Sequence, residues 1–360
     1  MSTSATSGEA GPIGQERMRA VGYRAALPIE DEQSLLDVEL PVPTPGPRDL
    51  LVRVEAISVN PVDYKVRRNA DPGGQVRVLG WDAAGTVVAV GDEVELFSVG
   101  DEVYYAGALE RPGTNAQFHA VDERLVGRKP TTLSFTEAAA LPLTALTAWE
   151  GLFEHLGLVA SAGAEGRDVD QPTGTLLVIA AAGGVGSIVS QLARALTGLT
   201  VVGTASRPES AEFARRMGAQ HIVDHHQPLA KQLNEVAPDG LAYVFSTTGT
   251  DRNLDAYAET LNPFGRIVAI DDFDALPISV LKRKSISFHW EFMFTRSMFQ
   301  TPDQAEQHRI LTELARVVDS GAVTSTATEN LGPINAANLR RAHRLLESGS
   351  AIGKTTLTGF

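Results

Sequence analysis

Two tandem architectures are predicted for this chain: a small β-barrel-like domain, then a doubly wound parallel α/β domain. Three observations predict them. From Met18 to about Ala148, short apolar runs are broken at regular intervals by Pro and Gly, the pattern of short strands and tight turns. From about Ala148 the pattern changes to alternating strands and helices, which builds a parallel sheet covered on both faces. Within this second part, Thr175 to Ser187 (TLLVIAAAGGVGS) reads as a buried strand, a small-residue turn and the start of a helix.

The elements follow in order. Met1 to Gly14 is rich in Ser, Thr, Ala and Gly, lacks the apolar core of a signal peptide and reads as a tail. Pro41 to Pro47 (PVPTPGP) is a rigid connector, Leu50 to Ile57 alternates as a strand, and Ala84 to Val90 is another. Val94 to Val103, with Gly100-Asp101 as a turn, leads into Val103-Tyr-Tyr-Ala106. Ala160 to Gly174 is polar and aperiodic, a surface loop. Thr175 to Ala180 is the first strand of the α/β part. Val185, Ile188, Val189, Leu192, Ala193 and Leu196 then recur at helical spacing, with Gly198 as the C-cap. Later strands are Thr200 to Thr204, Ile222-Val223, Leu241 to Ser246 and Arg266 to Ile270, with helices such as Leu254 to Leu261 between them. Ile286, Phe288, Trp290, Phe292 and Phe294 alternate with Ser287, His289, Glu291 and Met293, a strand whose apolar face suits a core or a dimer interface. Thr301-Pro302 opens a long helix with Pro at its first position and Gly321 past its end. A helix over Asn335 to Leu346 and a strand over Lys354 to Leu357 follow. The expected divisions are a tail at 1–17, a substrate domain at 18–147, a dinucleotide domain at 148–285, and an edge strand and return segment at 286–360.

Composition excludes several function classes. The 360 residues are 43% hydrophobic, enough for two ordinary cores without staples. There is no cysteine, which removes disulfides, thiol nucleophiles and thiolate metal sites together. A net charge of −13 argues against nucleic acid and anionic membranes as partners. No apolar stretch approaches the ~18 residues of a membrane span. The expectation is a cytoplasmic protein with a small-molecule substrate.

The small-residue turn carries the first chemistry. A pyrophosphate must touch the backbone there and sit on the helix N-terminus, so bulky residues are excluded. Ala181 stands in the first glycine place of G-x-G-x-x-G, Gly183 and Gly186 in the other two, and Gly184 and Val185 complete the turn. An NAD site usually carries an acidic residue about 20 residues further on, to hold the ribose hydroxyls. The chain reads Gly203-Thr-Ala-Ser206-Arg207-Pro208 instead. A hydroxyl and a guanidinium suit a 2′-phosphate, so the expected cofactor is NADPH. The competing reading takes Ser206 as a helix cap and Arg207 as a solvated charge.

Ser58-Val-Asn-Pro-Val-Asp-Tyr-Lys65, Gly80-Trp-Asp-Ala-Ala-Gly85, Gly100-Asp-Glu-Val103, Ala138 to Trp149 and Ala180 to Gly186 form a set of motifs between residues 58 and 186 of the chain. In these stretches it resembles the medium-chain dehydrogenase/reductase superfamily, within it the quinone oxidoreductase and zinc-type alcohol-dehydrogenase-like branch. The resemblance implies a GroES-like substrate domain, a Rossmann domain, a nicotinamide in the cleft between them, and a homodimer formed through edge strands of the Rossmann domain. It also implies cofactor contacts at Thr147, His225, Gly249, Ile270 and the late basic residue Lys354. At the zinc-ligand positions of the metal-dependent members stand Asn60, Trp81 and a residue within Leu141-Pro-Leu-Thr144. A tetrahedral site needs three good protein ligands, so no metal is expected.

Without zinc, simple alcohol oxidation loses its usual means of ionising the alcohol. Hydride transfer to a quinone or to the β-carbon of an enone or enal needs only hydrogen-bond donors for the oxygen that gathers charge. Asn60, Tyr64 and Lys65 are the candidate donors: an amide, a phenol and an ammonium within one short stretch. Asp63 is expected to anchor the loop and to accept from the Trp81 indole. The alternatives are a zinc-type alcohol dehydrogenase with unconventional ligands, or a non-catalytic NADPH-binding protein.

Overall fold

The computed structural model describes residues 16–160 and 173–360. The reading of a tail at Met1 to Gly14, and most of the loop read at Ala160 to Gly174, fall outside them. The elements of the first part are β1 (Arg17–Tyr23), β2 (Leu36–Pro41), β3 (Asp49–Ser58), α1 (Pro61–Asn69), β4 (Arg77–Val78), β5 (Asp82–Val90), β6 (Glu102–Tyr105), β7 (Phe118–Asp122), β8 (Val126–Arg128), α2 (Phe135–Ala139) and α3 (Pro142–Trp149). Then come β9 (Thr175–Val178), α4 (Gly184–Leu196), β10 (Thr200–Thr204), α5 (Pro208–Arg216), β11 (His221–Val223), α6 (Leu229–Val236), β12 (Leu241–Ser246), α7 (Thr250–Thr260), β13 (Leu261–Ala269) and β14 (Ser287–Trp290). The chain continues through α8 (Thr295–Phe299), α9 (Glu306–Asp319), β15 (Ala327–Asn330), α10 (Ala336–Glu347) and β16 (Lys354–Thr358).

β9 to β14 form a six-stranded sheet in the order β11-β10-β9-β12-β13-β14, parallel at every pairing. This is the Rossmann order 3-2-1-4-5-6, whose crevice lies beyond the carboxyl ends of the central strands. The GroES-like part is built on the sheet β15-β16-β3-β5-β6-β8, with β7 also on β3, and a small sheet β2-β1-β4 beside it. β16 returns late in the chain to pair antiparallel with β3, matching Thr356 with Ser58 and Leu357 with Ile57. The largest apolar cluster is shared, running from Val52 and Leu79 through Leu146 on α3 to Ile188 and Val189 on α4. Burial of this kind stabilises at roughly 25 cal/mol per Å² of apolar surface, which ties the two sheets together beneath the crevice.

Several sequence readings are corrected. The alternation from Ile286 to Phe294 makes a strand only over Ser287–Trp290. Glu291 closes the ladder by donating its N–H to the Ala269 carbonyl, and Thr295 N–H to Phe292 O then starts α8. Pro302 does not open a helix, because Gln304 N–H closes a turn on Thr301 O and α9 starts at Glu306. α4 ends with its cap at Thr197, in extended backbone, so Gly198 is not the cap. β13 begins at Leu261, paired to Leu241, before a register shift, and the helix read at Leu254–Leu261 starts earlier, at Thr250.

Candidate active site

Asn60 leaves β3 in extended backbone and caps α1, with Pro61 in the first helical position where its missing N–H costs nothing. Asp63 Oδ2 accepts the Asn60 N–H at 2.7 Å, so the loop is fixed by its own third helical residue. The Asn60 amide is held from both ends. Lys354 Nζ donates to Asn60 Oδ1, while Asn60 Nδ2 donates to Asp82 Oδ2 at 2.8 Å. Asp82 Oδ2 also accepts from Ser58 Oγ at 2.7 Å and from Lys354 Nζ at 3.0 Å, and Oδ1 accepts from Leu143 N–H at 2.8 Å. The third Lys354 hydrogen goes to Val59 O at 2.9 Å. Asn60, Asp82 and Lys354 are 1%, 0% and 3% exposed, so water does not screen these contacts.

Lys354 also reaches the nucleotide turn. A Cβ on Gly184 would come 2.8 Å from Lys354 Cδ, so the lysine stem lies directly on that turn. Asp63 is fully buried and its Oδ1 has no partner. Burial pushes its carboxyl up to about 7, against the pull of the Asn60 N–H and the Lys354 ammonium, and the Asp82 charge adds to the rise. The Trp81 indole donates to Ala108 O at 3.1 Å, not to Asp63. That correction has a simple cause: Asp63 faces the Asn60 backbone, while Trp81 packs edge-on against Phe294. Tyr64 is half-buried on α1. Lys65 points across to the Rossmann side, paired with Asp272 just after β13 at 2.7 Å.

The nucleotide side has the form a pyrophosphate requires. Gly183 precedes α4 with no side-chain cap, leaving the first N–H groups of the helix open. A Cβ on Gly186 would lie 2.3 Å from the Ala180 carbonyl oxygen, so the turn admits only glycine there. Val185 is half-buried beside it. Thr204 Oγ1 accepts the Ala180 N–H at 2.8 Å, tying the end of β10 to the turn. A cavity of about 430 Å³ opens at these strand ends, lined by Ile179, Thr204, His225, His226, Thr248 and Arg252 among others. The open N–H groups of the turn and this cavity beside it suit the phosphates and the adenosine end of a nucleotide.

The other expected cofactor residues are distributed around it. Gly249 sits just before α7 with φ +64°, and Ile270 extends β13 by donating to Ser246 O. Thr147 is buried in α3, its hydroxyl bonded to Leu143 O at 3.0 Å. Ser206 follows β10, and Arg207 caps α5 with one guanidinium N–H on Ser350 O at 2.7 Å. His225 is held below the usual imidazole range by partial burial and then by His226, whose ring centroid is 4.4 Å away.

Asp82 and Arg252 were not anticipated as site residues. Asp82 had a signal, since a carboxylate opening the small, apolar run Ala83-Ala-Gly85 must find buried partners. Arg252 had none, because only the fold brings the first turn of α7 to the strand ends. The zinc positions do not fit a metal. Asn60 is an amide already bonded at both ends, Trp81 donates to a carbonyl, and an ammonium stands where a cation would be ligated. Among the described residues no group of three or more His, Asp or Glu side chains could hold a metal ion.

Comparison with known proteins agrees with this architecture. Residues 46–147 match the family model for the alcohol dehydrogenase GroES-like domain, and 184–303 that for zinc-binding dehydrogenases. A zinc-type alcohol dehydrogenase-like protein of Staphylococcus aureus (strain MSSA476) is 40% identical over 94% of this chain and 99% of its own. The NADPH-dependent alkenal/one oxidoreductase of Arabidopsis thaliana chloroplasts is 34% identical over 65% of this chain and 58% of its own. A solved Rhizobium etli CFN 42 structure, put forward as a zinc-dependent alcohol dehydrogenase, is 52% identical with TM-score 0.89, covering 96% of this chain and 99% of its own. With its sheet order, its glycine turn and these end-to-end likenesses, the chain belongs to the medium-chain dehydrogenase/reductase superfamily, in the branch of the quinone oxidoreductases and zinc-type alcohol-dehydrogenase-like proteins.

Proposed function

We propose that this oxidoreductase uses NADPH, without zinc, to reduce a quinone or an activated C=C bond of an enone or enal. The observation that carries the reading is the Asn60 amide, whose Nδ2 gives one hydrogen to Asp82 and has a second to give, and whose partner Lys354 lies on the nucleotide turn. When bound, NADPH would supply a hydride for the substrate's β-carbon, so that the C=C electron pair moves toward the carbonyl oxygen. Asn60 Nδ2 donates to that oxygen as charge gathers on it, and the Tyr64 hydroxyl is the second candidate donor. Water then delivers a proton to the α-carbon. Arg207 keeps guanidinium N–H groups beyond the one on Ser350, and with Ser206 and His225 offers donors to a 2′-phosphate. The name of the Arabidopsis relative supports both the cofactor and the substrate class. We take the protein to act in the cytoplasm as a homodimer through β14, at the sheet edge, where Trp290 is 54% exposed.

The test is a panel of quinones, enones, enals and simple alcohols with each nicotinamide cofactor. Acceptor reduction with NADPH, lowered about 10²–10³-fold in kcat by Asn60→Ala at unchanged NADPH affinity, is expected. Alcohol oxidation as the only activity would refute the reading.

A further inference from the structure

Asn60 has two orientations related by exchange of its Oδ1 and Nδ2, and only one sets its N–H groups on the Asp82 side, with Oδ1 on the Lys354 ammonium. We infer that Asp82 and Lys354 are positioning residues that fix the Asn60 amide in its donating orientation. The inference rests on Asn60 being the oxygen-facing donor of the proposed reduction. In the observed orientation the ammonium meets Oδ1 and the carboxylate meets Nδ2. The exchanged orientation would set NH₂ against an ammonium and a carbonyl oxygen against a carboxylate. Both contacts are repulsive, and neither is relieved by solvent at this burial.

Neither charged group is free to touch substrate. All three Lys354 hydrogens are engaged, on Val59 O, Asn60 Oδ1 and Asp82 Oδ2. Asp82 accepts from Ser58, Asn60, Lys354 and the Leu143 N–H. Their effect on the reaction runs through Asn60. Lys354 is in turn held by its stem against Gly184, so the residue that orients the donor is seated on the nucleotide turn itself. Asp63 fixes the Asn60 backbone and the Asp82–Lys354 pair fixes its side chain. Tyr64 and Lys65, on the next turn, do not enter this arrangement.

The experiment is a double-mutant cycle on the full chain with an accepted quinone or enone, using Lys354→Met, Asn60→Ala and the double variant. Met keeps the stem on Gly184 and removes the ammonium. Expected for Lys354→Met is a kcat about 10- to 100-fold lower with the acceptor KM little changed, and a double variant no slower than Asn60→Ala alone. In parallel, side-chain amide signals are recorded from protein labelled with ¹⁵N only at asparagine, Asn60 being assigned by its loss in Asn60→Ala. Wild type should show two distinct, slowly exchanging Asn60 amide protons, and Lys354→Met should shift them and speed their exchange. If Lys354→Met leaves Asp82 unpaired and fails to fold, the neutral pair Asp82→Asn/Lys354→Met replaces it in both measurements.

An unchanged kcat in the variant, or losses that multiply in the double variant, would overturn the positioning role. If the wild type reduces no member of the panel, the proposed function fails instead. The amide signals then decide alone, and Asn60 signals unaltered by loss of the ammonium sink the inference.

Discussion

Acidification should destabilise this protein through His119, a residue of β7 that is 4% exposed and takes no part in the chemistry. Its Nδ1 lies 3.1 Å from the Tyr105 hydroxyl and its Nε2 2.9 Å from the Pro112 carbonyl oxygen. A carbonyl only accepts, so Nε2 carries the hydrogen and Nδ1 accepts from a Tyr105 hydroxyl that burial keeps protonated. The site is thus built for neutral imidazole. Burial lowers the His119 pKa from 6.5 to about 4. Between those values the unfolded chain binds a proton that the folded chain refuses, so stability falls as pH drops from 6.5 toward 4 and the loss levels off below. At 1.36 kcal/mol per pH unit the full loss is about 3 kcal/mol. Urea unfolding of wild type and His119→Gln across pH 7 to 4 measures it, because Gln has an acceptor and a donor for the same partners but no proton to gain. Wild type should lose about 3 kcal/mol more than the variant over this range. Parallel curves for the two proteins would refute the reasoning, since carboxylates titrate alike in both.

Three further outcomes are expected. Arg207→Ala should weaken NADPH by about 1.5–3 kcal/mol and leave NADH nearly untouched, read by cofactor titration; equal losses would remove Arg207 from the 2′-phosphate. Gly186→Ala places a Cβ 2.3 Å from a backbone oxygen that cannot move aside. It should cost about 1–3 kcal/mol in a denaturant melt and abolish measurable nucleotide binding, and retained affinity would show that the turn is not the pyrophosphate seat. Prolonged chelation should leave acceptor reduction intact, and a loss restored by zinc alone would overturn the account of Asn60 and Trp81.

Much of the framework was legible because it rests on local patterns. The strand at Thr175, the small residues behind it and the 3.6-residue spacing from Val185 to Leu196 each follow from backbone geometry alone. The end of β14 was not legible: alternation continues to Phe294 in the sequence, but burial of Glu291 beside His155 turns the chain out of the sheet. At the site, Asp63 is legible as the anchor of the Asn60 loop, but the helix these residues begin is not, nor is the partner of Trp81, because an indole N–H can donate to any nearby oxygen. The Asp82–Lys354 pair joins positions 272 residues apart, a contact no spacing rule reaches.

The late return of β16 has a consequence for synthesis of the protein. Lys354 meets Asn60 across 294 residues of chain. At translation rates of about 5–20 residues per second, Asn60 and Asp82 wait roughly 15 to 60 s for their lysine. Through that interval the β3 edge that β16 will cover stays open to foreign strands, and Asp82 has no counter-charge. A nascent chain therefore carries a finished nucleotide turn well before it carries an ordered donor. Folding helpers that shield a strand edge should raise the yield of active protein more than those that act after release.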